Sequence, residues 1–119
     1  MNPNESLGRY LTEKKQHFSS QKKEVKFKAF MPPRNLRLSV YRIEGLGLDE
    51  AWDIGLNKVA GKMSPPKELY GLADIKAGTI QREKLQIDAA PVPCRHADVV
   101  GWPSDVAQQA LIAQVLAAE

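Results

Sequence analysis

The densest run of chemically competent side chains is Cys94-Arg95-His96-Ala97-Asp98. On an extended strand side chains alternate, so Cys94, His96 and Asp98 would share one face. A thiol, an imidazole and a carboxylate are the parts of a nucleophile, its base and an orienting acid. Their spacing argues against direct use, because residues two apart on a strand lie ~7 Å apart, too far for a Cys94–His96 hydrogen bond without help from side-chain reach. Cys94 is therefore read as a buried or incidental thiol, with nucleophilic attack as the alternative. His96 stands better alone. With Arg42, and with Asp98 or Asp74, it could build a polar patch at one end of a sheet. Arginine offers a planar fork to phosphate or carboxylate, and histidine moves protons near neutral pH. His96, Arg42 and Asp98 are the candidate catalytic residues. The bland alternative has the His96 ring bonding a backbone carbonyl beside Trp102. Trp102 itself, between Gly101 and Pro103, sits at a strand-to-helix corner, where it packs or else stacks on a ligand.

No other signature of catalysis is present. There is no phosphate loop, no dinucleotide fingerprint and no Gly-x-Ser-x-Gly elbow. His17 and His96 are the only histidines and Cys94 the only cysteine, so no metal, no cofactor and no internal disulfide are expected.

Charge is the stronger signal. The net charge is only +3, but it is unevenly spread. Residues 1–42 hold ten Lys/Arg against three Asp/Glu, a net +7, and residues 43–119 hold seven against eleven, a net −4. Lys14, Lys15, Lys22, Lys23, Lys26 and Lys28 are the candidate binding residues, with Trp102 beside them. Such asymmetry points to nucleic acid or an acidic protein as partner. A charged segment that only keeps the chain solvated is the plainer reading.

The elements that must position these groups follow from periodicity. Residues 5–20 read as a marginal helix or a mobile arm, since Leu7, Tyr10, Leu11 and Phe18 leave a turn occupied by Lys14 and Lys15. The domain boundary is therefore set at 1–23 for a basic arm and 24–119 for one α+β domain. Residues 24–30 alternate like a half-buried strand that Pro32-Pro33 ends. Residues 36–43 are apolar on both faces and predict a central strand. Residues 48–60 predict a helix with Leu48, Trp52, Leu56 and Val59 turned inward and Gly61 as its cap. Residues 69–75 predict a strand and 79–88 one or two weaker ones, joined by a turn at 76–78. Residues 96–102 form a short apolar strand. The last helix, about 105–118, is capped by Ser104; its Leu111/Ile112/Val115/Leu116 stripe should sit on the sheet. Its flat Ala110/Ala113/Ala117 face would meet the Trp52 helix or pair with a second copy in a homodimer.

The expected architecture is a small mixed or antiparallel sheet of four to five strands, with two helices packed on one face. The pairing of Leu38-Ser39-Val40-Tyr41-Arg42 with His96-Ala97-Asp98-Val99-Val100-Gly101-Trp102-Pro103 resembles a pattern in small bacterial proteins of unassigned function. The resemblance covers roughly residues 27–118 and implies a bacterial or mobile-element setting, but no activity. With no apolar run of ~20 residues and no signal-like start, no membrane association and a cytoplasmic location are expected. Two function classes stand: a binding or accessory protein acting through its basic arm, and a small enzyme on a phosphate-containing substrate through Arg42 and His96.

Overall fold

The computed structural model describes residues 2–12, 18–19, 24–59, 69, 71–90 and 95–118. Its centre is a five-stranded antiparallel sheet built from β1 (Ser6–Leu11), β4 (Leu38–Arg42), β5 (Gly71–Lys76), β6 (Gln86–Ala89) and β7 (His96–Val100), in the order β5-β1-β4-β7-β6. A two-stranded ribbon, β2 (Phe18–Ser19) with β3 (Glu24–Val25), lies between β1 and β4 in the chain. The helices are α1 (Leu48–Ile54), α2 (Ala77–Arg82) and α3 (Val106–Ala117). The fold is α+β, and β4 is central, as its two apolar faces require.

The largest departure from the sequence reading is β1. Residues 6–11 are neither a helix nor a mobile arm; they are the second strand of the sheet, paired along their whole length with β5. Leu7 and Leu11 enter the main core on one face, while Gly8 and Tyr10 are buried on the other. A strand covered on both sides has no period of two, and its i, i+3, i+4 apolar spacing imitates a helix. Arg9 is the polar exception on the core side. Its Nε donates to the Ala29 carbonyl at 2.8 Å and its Nη1 to the Ser39 carbonyl at 3.2 Å. Burial pulls this guanidinium below its usual pKa.

The strand expected over 24–30 survives only as β3. Phe27–Phe30 winds into a 3-10 turn, closed by Ala29 N–H donating to the Lys26 carbonyl, and it buries Ala29 and Phe30 under α3. The turn at 76–78 is also replaced. β5 and β6 stand at opposite edges of the sheet, so no hairpin can join them. Instead α2 carries the chain across, burying Ala77, Thr79 and Ile80. After β7 the chain turns at Gly101, whose φ of +88° favours glycine. The cap of α3 is Asp105, accepting from Ala107 N–H at 3.0 Å, and not Ser104.

Two helix faces also differ from expectation. α1 continues into a wider π-helical turn over Gly55–Val59, and it turns Ala51 and Gly55 inward, leaving Leu48 77% exposed and Trp52 half-buried. The reason is Tyr10. Its hydroxyl donates to the Ala51 carbonyl at 2.5 Å, and a Cβ on Gly55 would lie 2.5 Å from the ring. Only a small-residue face fits there, so α1 covers the Tyr10 side of the sheet while α3 packs with the main core on the other. The Gly61 cap lies outside the described residues. In α3 the inward residues are Gln109, Ala113 and Leu116, with Ala113 0% exposed and Leu111 64% exposed. On the alanine face Ala113 is fully buried while Ala110 and Ala117 are half-buried, so this face turns toward the core of its own chain.

Candidate functional site

Antiparallel pairing aligns Tyr41 with His96, Ser39 with Asp98, and Asp98 with Asp88. Alternation then puts Ser39, Tyr41, His96, Asp98 and Asp88 on one face of β4, β7 and β6, opposite the main core. The Tyr41 ring meets the Tyr10 and His96 rings edge-on, with centroids 5.5 and 5.4 Å away. Beyond His96 the face becomes polar. Asp88 and Asp98 stand directly opposite in the ladder, where like charges repel. Arg37, just before β4, bridges them: Nε donates to Asp98 Oδ2 at 3.0 Å and Nη2 to Asp88 Oδ2 at 2.5 Å. These two hydrogen bonds raise the Arg37 pKa.

His96 has the neighbours of a catalytic histidine but not their geometry. Its Nε2 lies 2.8 Å from Ser39 Oγ and 3.2 Å from Asp98 Oδ1. In a nucleophile–base–acid set the carboxylate takes one ring nitrogen and the nucleophile the other. Here both partners reach the same nitrogen. The contacts of this cluster tie β4 to β7 through Ser39, His96 and Asp98.

Arg42 is elsewhere. It shares the parity of Leu38 and Val40, so it faces away from His96, and it pairs with Glu5 through Nε–Oε2 and Nη2–Oε1 contacts of 2.8 Å. The expected Arg42/His96 patch is not assembled: His96 joins Asp98, and Arg37 occupies the place given to Arg42. Asp74 lies on the His96 face, but two strands intervene. No family model matches the chain, and no curated protein or solved structure is significantly similar to it.

Trp102, the stacking candidate, is core: 6% exposed, its Nε1 donates to the Val99 carbonyl at 3.0 Å. Lys26 and Lys28 are exposed at the 3-10 turn. Lys14, Lys15, Lys22, Lys23 and Cys94 lie outside the described residues. Among those described, no three His, Cys, Asp or Glu side chains are grouped to hold a metal, and no helix is long and apolar enough to cross a membrane. Ser39 and Arg37 were missed by sequence reasoning. Ser39 was discoverable, since it shares a face with Tyr41 in a strand already recognised. Arg37 carried no signal, because its acids lie 51 and 61 residues away.

Proposed function

We propose that the chain is a small binding or accessory protein that contacts nucleic acid through the basic connection between β1 and β4. Three arginines of the basic half have internal work: Arg9 holds backbone carbonyls, Arg37 bridges two aspartates, and Arg42 pairs with Glu5. The other seven cations all fall within residues 14–34, a stretch with Glu24 as its one acid. The observation that carries the reading is the exposure of Lys26, Lys28 and Arg34 around a turn anchored by buried Ala29 and Phe30. Lys28 and Arg34 enter no ion pair among the described residues. Lysines and arginines on a fixed turn suit phosphate contacts that position a partner without reading its sequence. The separation of Arg42 from His96 favours the binding reading over the enzyme reading.

Titration of a labelled duplex and a labelled single strand at two salt concentrations tests this function. Affinity should fall steeply with salt, because each phosphate contact releases counterions. Lys28→Glu with Arg34→Glu should weaken binding to every sequence alike. Absence of binding at low salt refutes the reading.

A further inference from the structure

We propose that the outer face of α1 docks a partner protein through a basic segment that carries an apolar anchor. The face follows from the way α1 sits on the sheet. Its inward residues are the small Ala51 and Gly55, held against Tyr10 by the hydroxyl-to-carbonyl hydrogen bond and by a gap that a Cβ on Gly55 would fill. The bulky row Leu48, Trp52 and Leu56 is thereby turned outward, with Leu48 and Leu56 exposed and Trp52 half-buried. Helices of globular domains ordinarily bury such a row. Here Tyr10 blocks the rotation that would hide it.

A row of acids runs beside the apolar one. Asp49 and Asp53 stand one turn apart, as Leu48 and Trp52 do, and these four residues line a groove of about 560 Å³. Asp49 and Glu50 suit the positive end of a helix, but Asp53, a turn further on, does not gain from it. Like charges four residues apart on a helix repel. Asp49, Glu50 and Asp53 make no ion pair with a described residue to offset this. The Trp52 indole N–H likewise has no acceptor among the described residues. Apolar surface, unshared negative charge and a spare donor therefore meet in one groove. Charge selects the occupant. Carboxylates repel phosphates, whereas a lysine or arginine lays its aliphatic stem along Leu48 and Trp52 with its cation against the acids. An adjacent aliphatic side chain of the same segment covers the rest of the apolar row. This face shares no residue with the basic turn and stands independently of the nucleic-acid reading.

The test is a titration of the full ¹⁵N-labelled chain with three synthetic peptides of equal length, built from alternating Arg and Leu, alternating Arg and Ser, and alternating Glu and Leu. Saturable shifts of the Trp52 indole N–H and of the Leu48–Asp53 amides are expected with the first peptide, weaker binding with the second and none with the third. Asp53→Asn should weaken affinity for the first peptide about threefold, and Leu48→Ala about tenfold, both with unchanged melting curves. Lys28→Ala should leave that affinity as it is. No saturable shift, equal affinities for the first two peptides, or wild-type affinity in both α1 variants would overturn the assignment. So would a mass in light scattering above that of one chain that Leu48→Ala returns to monomer, which gives the face to a second copy.

Discussion

Arg42 grips Glu5 with both arms of its guanidinium, tying the last residue of β4 to the residue that precedes β1. The hydrogen bonds from Arg42 are the main reason that the Glu5 carboxyl is held below its ordinary value of 4.5. A carboxyl with a depressed folded pKa stabilises the fold above its unfolded pKa, and that contribution disappears as pH falls through the folded value. Glu5→Gln should therefore cost about 1 kcal/mol at neutral pH, in line with a partly exposed, charge-assisted pair. The gap between wild type and variant should close as urea unfolding is followed from neutral pH to well below 4.5. A gap that does not depend on pH would deny the pair a role in stability.

The two tryptophans should behave differently. Trp102→Ala removes a buried ring and its hydrogen bond to Val99, and should cost about 3–5 kcal/mol. Trp52 is half-buried on the outer side of α1, so Trp52→Ala should cost less than about 2 kcal/mol. Chemical denaturation of the two variants side by side checks the order.

Gly55→Ala should be a severe substitution. The added methyl would meet the Tyr10 ring at 2.5 Å and the Leu69 side chain at 2.7 Å, and overpacking of this kind costs about 1–3 kcal/mol. Tyr10→Phe opens the hydrogen bond to Ala51 and should cost about 1 kcal/mol. Burial pushes the Tyr10 phenol up to about 12, so an absorbance titration of this variant should lose one tyrosine that ionises near 12.

On α3 a charge reads out the face directly. Ala113→Glu places a carboxylate in the core and should unfold much of the population, given the marginal stability of a small domain. Leu111→Glu, on the exposed side, should change stability by about 0.5 kcal/mol or less. Circular dichroism melts distinguish them, and equal tolerance would turn the helix over.

Elements with a strong local pattern were legible. β4, β7 and α3 lie where alternation, proline and helical periodicity put them, because those signals act within a few residues. The chain 76–88 was misread since Lys76-Ala77-Gly78 suits either a turn or a helix start, and the choice depends on β5 and β6 lying at opposite edges.

The linear sequence determined the α+β class, the central strand Leu38–Arg42, and the concentration of cations before residue 43. Only tertiary structure decided that Ser6–Leu11 is a sheet strand, that α1 presents Ala51 and Gly55 inward, and that His96 meets Asp98 while Arg37 takes the place expected of Arg42. The physical reason is common to all three. A strand buried on both faces loses its period, and a helix face is chosen by the shape of what it covers. Ion pairs join side chains whose separation along the chain is set by sheet register, not by any local rule.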